Sequence, residues 1–434
     1  MEERAAIEEY FDRLWPLLRS LNGEGVRRTH EILRELLPLE TREIPSGTPV
    51  LDWTVPPEWV VREAYVVAPD GRRMLDVREN NVHLMGRSMP FCGRISLAEL
   101  EKHLHSMPAL PKAIPFVISY YAPNWGFSIA HEERERLPDG DYEVVIDTDL
   151  VEGSTTISEV VLPGELPDEV LLSTYTCHPS MANDNLSGPL IAAFLYRRLA
   201  ALPRRRLTYR FAFVPETIGA IIYLSQRGDL LRERLRAGYV VTCAGDPGPF
   251  TYKRSRRGDC LADRAAELIL RRRPGPPPRI RDFFPTGSDE RQYCSPGFNL
   301  PVGSIMRSAY GDYAEYHTSL DNRDFVSFDA LVESIDAYFE VCRALDTNVV
   351  YRNLFPFGEP QLGRRGLYSR LGAHGSEPVP IDVGALRWLL NLADGTNDLL
   401  AIAERSGYSP AALHEAAELA VEKGLLRSEG PQVA

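Results

Sequence analysis

The chain has 434 residues, with 49 Lys and Arg against 61 Asp and Glu, for a formal net charge of −12. That length makes two or three domains, and 44% hydrophobic with 25% charged residues excludes disorder throughout. The acidic balance argues against non-specific binding to nucleic acid or anionic membranes as the main role. No apolar run approaches the ~20 residues that span a bilayer. The opening MEERAAIEEYFDRLW lacks the basic-then-apolar order of a signal peptide. Cys92, Cys177, Cys243, Cys260, Cys294 and Cys342 form no CxxC pair, which reads as reduced thiols in a cytoplasmic protein.

Residues 1–38 carry apolar side chains at helical spacing, among them Ile7, Tyr10, Phe11 and Leu14, and predict two helices broken at Asn22-Gly23. From 50 to 165 the character changes to short β-like runs (59–67 and 142–147), tight turns and many aromatics, as in a small inserted domain. Residues 166–345 alternate apolar strands (169–175, 207–214, 238–242, 300–306) with helices such as 187–201 and 327–345. This order predicts an α/β fold on a parallel sheet buried on both faces. The Pro- and Arg-rich piece 271–285 reads as a loop, and 358–380 as a linker. Three helices (383–392, 399–406, 411–423) and a short apolar end predict a winged-helix-like domain over 381–434. The catalytic domain is thus expected in two pieces, 1–49 and 166–357, around the 50–165 insertion.

In open parallel sheets, functional groups collect at the carboxyl ends of the strands. Those ends here run into Cys177-His178, followed by Asp184; into Glu216-Thr217; and into Asp246. A later loop carries Tyr316-His317-Thr318. Imidazoles and carboxylates at one sheet edge are zinc-ligand chemistry, and three protein ligands leave a position open for water. Each residue also has an ordinary role. Asp184 could cap the helix that follows, Glu216 could pair with an arginine, and Asp246 precedes Pro247 as a turn residue.

The segments TCHPSMANDNLSG (176–188), VPETIGAI (214–221), GSDERQYCSPGFNLPVGSIMRS (287–308) and EYHTSLDN (315–322) resemble the aminopeptidase-like DUF4910/DUF2172 proteins, relatives of the M28 zinc aminopeptidases. The resemblance covers nearly the whole chain. It implies a zinc-aminopeptidase-like α/β fold of the phosphorylase/hydrolase type: a mostly parallel sheet between helices, a small inserted α/β or β-rich domain and a C-terminal winged helix. It implies that His178, Asp184 and His317 are metal ligands and that Glu216 is the general base. The M28 enzymes place a second, ligating Glu after the base. Thr217 stands there, which favours one zinc per chain. Asp246 matches a further ligand position loosely, and the interval from His178 to Asp184 is shorter than in M28 enzymes.

The implied function is a zinc-dependent hydrolase of amide or peptide bonds, with a small peptide or aminoacyl or acyl amide as substrate. Two alternatives stand beside it: a narrow amidase or deacylase acting on a biosynthetic intermediate, and a catalytically silent scaffold. Arg307, Tyr316 and Asp289 are candidate substrate-binding residues, although Arg307 could instead pair with Asp289 or Glu290. The aromatic segment 120–127 could form a lid or the insertion's own core. Between 377 and 430, nine acids face four bases, so the tail suits docking or homo-oligomer formation better than DNA binding, and no membrane partner is expected.

Overall fold

The computed structural model describes residues 2–120, 122–367 and 381–429. It contains two compact units, one of residues 1–263 with 274–338 and one of 264–273 with 339–434. Among the described residues, no helix is long and apolar enough to cross a membrane.

The larger unit is built on an eight-stranded sheet. Its order is Glu40–Pro45, Ser154–Leu162, Thr208–Val214, Glu169–Tyr175, Leu235–Val241, Val302–Met306, Thr251–Lys253 and Arg279–Arg281. The four central strands run parallel. Glu169–Tyr175 and Thr208–Val214 are buried at every position, because helices cover both faces of a sheet of this kind. The two N-terminal helices, Glu2–Leu14 and Glu24–Leu33, separate at Gly23, whose φ of 101° favours glycine. Arg279–Arg281 falls within the expected loop 271–285. It is the edge strand beside Thr251–Lys253, and each has three residues, too few to carry a hydrophobic period.

A second, four-stranded antiparallel sheet comprises Arg73–Met74, Glu58–Val67, Asp141–Val151 and Phe91–Ser96. It packs its own core of Trp59, Val66, Phe127, Tyr142, Val144 and Ile146. Ser154–Leu162 lies inside the expected insertion 50–165 yet pairs with Glu40–Pro45 and Thr208–Val214 in the main sheet. The separate small sheet therefore ends near residue 151, and the strand after it returns the chain to the large sheet.

The smaller unit carries helices Val383–Leu392, Leu399–Ser406 and Pro410–Glu422, each with an identifiable start. Asp382, Asp398 and Ser409 accept hydrogen bonds from the first-turn amides, and Pro410 stands where its missing N–H costs nothing. A three-stranded sheet of Asp394–Asp398, Val350–Asn353 and Leu426–Ser428 completes it. Val350–Asn353 thus belongs to this unit rather than to the catalytic piece ending at 357, since only strand pairing reveals its neighbours. Most of the expected linker, 368–380, lies outside the described residues.

His30 is buried between Ser158 Oγ (2.7 Å) and Thr176 Oγ1 (2.9 Å), and burial pushes its pKa down to about 3. A histidine charges near 6.5 in the unfolded chain, so below that pH the unfolded state binds the extra proton and stability falls as pH falls. His30→Gln is expected to make the stability–pH slope of the larger unit shallower between about pH 6 and 4, by up to about 1.4 kcal/mol per pH unit. Urea unfolding across that range reads it.

Candidate metal centre

Tyr175 pairs with Val214 in parallel register, so the two central strands end side by side. One delivers Cys177-His178 and the other Glu216-Thr217 to the same edge. Helix Ser187–Ala200 starts so close to the sheet that a Cβ on Gly188 would lie 2.1 Å from the Val241 carbonyl oxygen. This approach folds residues 176–186 across the strand ends. The Asp321 carboxylate accepts from the backbone N–H of Asn183 (2.6 Å) and of Asp184 (2.9 Å), tying that loop to the segment bearing His317. His317 sits at φ 54°, an uncommon conformation for a non-glycine residue. Its carbonyl accepts from Phe116 N–H at 2.8 Å, and Ile114 accepts from Ser319 N–H at 2.9 Å. A segment of the insertion therefore pins the third member of the site.

The structure brings His178, Asp184 and His317 together, with one potential ligand atom from each within 4.8 Å of the others. His317 Nε2 lies 2.9 Å from Asp184 Oδ2, and His178 Nε2 lies 4.0 Å from it. The first pair lacks hydrogen-bond geometry, and both atoms are buried without any other partner. Two unpartnered lone-pair atoms converging in the interior are costly unless something shares them. A divalent cation fits that demand. Asp184 Oδ1 accepts from the Tyr175 hydroxyl, which also lies 2.6 Å from Thr242 Oγ1. This support orients the carboxylate from behind.

The protonation states suit the same reading. Burial holds His178 down to about 4, leaving its ring neutral as a ligand requires. Burial works against the charge of Asp184, but the His178 and His317 rings and the Tyr175 hydroxyl hold it down to about 2. Glu216 Oε2 lies 3.8 Å from His178 Nε2. Burial, together with the charges of Asp289 and Asp184, holds the Glu216 carboxyl well above the usual carboxylate range, while Arg291 opposes this. A carboxyl so tuned in a cleft is acid–base machinery by the usual physical criterion.

His178, Glu216, Arg291 and His317 line a pocket of about 300 Å³. Tyr316 is part of it, stacked on the His317 ring with centroids 3.9 Å apart. The other predicted residues stand elsewhere. Asp246 uses both oxygens on Asn183 Nδ2, the Gly248 amide and the amide and hydroxyl of Ser308, so it braces loops and is spent as a ligand. Arg307 bonds Ser334, Glu333 and two backbone carbonyls, with Phe250 against its guanidinium, and does not line the pocket. Its ion pair is with Glu333, not with Asp289 or Glu290. Asp289 is buried behind the site: Oδ1 accepts from Thr217 N–H at 2.7 Å, and burial pushes its carboxyl up to about 7. It shapes the Glu216 loop and its charge rather than touching the pocket. Of the aromatic segment, Tyr120 reaches the pocket, whereas Trp125 stacks between Phe91 and His103 and Phe127 is in the small sheet's core. Tyr121 lies outside the described residues.

Four pocket residues were assigned no role from the sequence. Phe116 packs on both His178 and His317. Cys177 Sγ accepts from Glu216 N–H at 3.2 Å. Arg291 Nη2 donates to Thr217 Oγ1 at 2.8 Å, and Arg19 Nε donates to the His178 carbonyl at 2.8 Å. Cys177 and Arg291 stood in recognisable motifs, TCHPSMANDNLSG and GSDERQY, whereas Phe116 and Arg19 stood in none.

A sequence profile for the family described as a domain of unknown function, DUF4910, matches residues 8–348. The chain belongs to the DUF4910 family. A winged helix-turn-helix profile matches residues 349–428, beginning at the strand that the structure assigns to the smaller unit. A Clostridium acetobutylicum protein, provisionally described as a polysaccharide biosynthesis protein with an aminopeptidase-like domain, is 47% identical over 94% of this chain and 92% of its own. A crystal structure from that organism, provisionally described as a peptidase, is 44% identical over 98% of this chain and 97% of its own, with a TM-score of 0.92. BSAP, a zinc aminopeptidase from Bacillus subtilis, shares the fold at 13% identity and TM-score 0.57, over 79% of this chain and 93% of its own. An M28 peptidase precursor from Shewanella amazonensis does so at 12% identity and TM-score 0.54, over 78% and 92%. The α/β architecture is that of the M28 aminopeptidases.

The DUF4910 site is expected to take up a divalent ion through the three converging atoms. In zinc titrations of metal-depleted protein, Asp184→Ala should abolish stoichiometric binding. Tyr175→Phe should weaken it about 10–100-fold by freeing the carboxylate to rotate. Asp246→Asn should leave it intact.

Proposed function

We propose that this protein is a metal-dependent hydrolase of amide bonds, with one zinc ion held by His178, Asp184 and His317 and with Glu216 as general base. The observation that carries the reading is the pair of buried, unpartnered atoms, Asp184 Oδ2 and His317 Nε2, 2.9 Å apart beside Glu216 in an open pocket. A zinc ion there would supply Lewis acidity towards an amide carbonyl and would acidify water. Glu216 stands 3.8 Å from His178, so it removes a proton from the attacking water and returns it to the departing nitrogen. Asp289 and Asp184 raise its basicity, and Arg291 keeps a positive charge nearby to moderate it. Phe116 and Tyr316 pack on the imidazoles and hold the rings in place. The zinc assignment is supported by the fold shared with BSAP, and the hydrolase assignment by the peptidase-like relatives.

A narrow amidase acting on a biosynthetic intermediate is the more specific form of this reading. It is favoured by Thr217, whose hydroxyl is bonded to Arg291 where a carboxylate would be needed to anchor a free amine, and by the biosynthetic description of the Clostridium relative.

Glu216→Gln keeps the shape of the side chain and removes its basicity. Turnover of any amide substrate should fall about 10²–10⁴-fold while zinc stoichiometry stays at one per chain. Elemental analysis beside steady-state kinetics tests both halves. Unchanged turnover in this variant would remove Glu216 from the mechanism.

A further inference from the structure

Arg19 is 2% exposed. Its Nε donates to the His178 carbonyl at 2.8 Å and its Nη1 to the Leu14 carbonyl at 2.6 Å. Its Nη2 is buried without a partner, and no carboxylate pairs with the guanidinium among the described residues. The adjacent Ser20 is 6% exposed, and its hydroxyl is also unpartnered. Both residues line the pocket that holds His178, Glu216 and His317.

Two neutral carbonyls do not replace the hydration a buried guanidinium loses, and a buried cation without a counter-charge is among the least favourable arrangements in a protein interior. A carboxylate or phosphate would accept from both Nη2 and the serine hydroxyl and neutralise the charge. Arg291 lines the same pocket. Apart from the two imidazoles, the charged side chains of the pocket are thus two arginines and Glu216. A substrate ammonium would be repelled by two of these charges and attracted by one, and a substrate anion attracted by two and repelled by one.

We infer that Arg19 and Ser20 form an anion subsite in this pocket, so that the amide cleaved there carries a carboxylate or phosphate and needs no free α-ammonium. The cleavage part rests on the hydrolase reading above; the subsite does not.

The binding test uses the full-length chain, metal-depleted so that no anion is held by zinc, with succinate, inorganic phosphate and neutral succinamide as calorimetric probes. Succinate or phosphate is expected to bind and succinamide to fail. Arg19→Gln should weaken the anion at least ~10-fold and Ser20→Ala at least ~5-fold. A preference for succinate marks a carboxylate substrate, and a preference for phosphate a phosphorylated one. Arg19→Gln also loses its bonds to His178 and Leu14, so if its melting temperature falls, Ser20→Ala decides, since it removes one hydroxyl only. Absence of anion binding, or binding that Ser20→Ala leaves unchanged, overturns the subsite. The zinc-loaded chain is then offered glutaryl, butyryl and leucyl p-nitroanilides, which differ in carrying a carboxylate, nothing or an ammonium. Glutaryl is expected to exceed both in kcat/KM by at least ~10-fold, an advantage lost in Ser20→Ala. Anion binding without turnover of any amide would sink the hydrolase reading and leave the subsite standing. Faster turnover of the leucyl compound would sink the substrate assignment and leave the hydrolase standing.

Discussion

Lone pairs and charges cannot be buried together without something to share them, and that constraint organises the larger unit. Asp184 Oδ2 and His317 Nε2 face each other at 2.9 Å, and neither has a hydrogen-bond partner. Holding them there requires the surroundings to be stiffer than the cost of the encounter. The stiffness comes from Asp321 gripping the amides of Asn183 and Asp184, from Tyr175 gripping the far oxygen of Asp184, and from Phe116 pairing with the His317 backbone. Each of these is a directional bond, so each sets an angle as well as a distance.

The scaffold and the substrate side of the pocket have different origins. The parallel sheet contributes His178, Asp184 and Glu216, as open α/β sheets do at their strand ends. Leu18, Arg19 and Ser20 come from the break between the N-terminal helices, whereas Phe116, Ile118 and Tyr120 come from the insertion. These segments vary the walls of a pocket without touching the sheet that holds its floor, which is how one fold serves different substrates.

The neighbourhood of Glu216 also departs from a carboxylate-rich design. Thr217 accepts from Arg291, and Asp246 is spent on loop contacts. The first puts a neutral hydroxyl beside the base, and the second leaves the Asp246 carboxylate with its oxygens already occupied. These features support the proposed single-ion site and the proposed anion subsite.

Hydrophobic period and turn chemistry are local properties, so the sequence by itself determined the parallel strands, helices between them, the tail helices and the strand ends at which His178 and Glu216 would emerge. The small antiparallel sheet was legible as a change of character, but its limit was not. Ser154–Leu162 follows directly on the small sheet in sequence, and only its pairing with Thr208–Val214 assigns it to the main sheet. The roles of Asp246, Arg307 and Asp289 were beyond local reading, because a carboxylate or guanidinium looks the same in sequence whether its valences are free or taken by groups 27 to 72 positions away. Arg19 and Phe116 were invisible for the matching reason: their partners, His178 and His317, lie more than 150 residues further along the chain. Local patterns decide which elements form. Which polar groups are left without a partner is decided only when the chain closes on itself, and those leftover groups are where a ligand can bind.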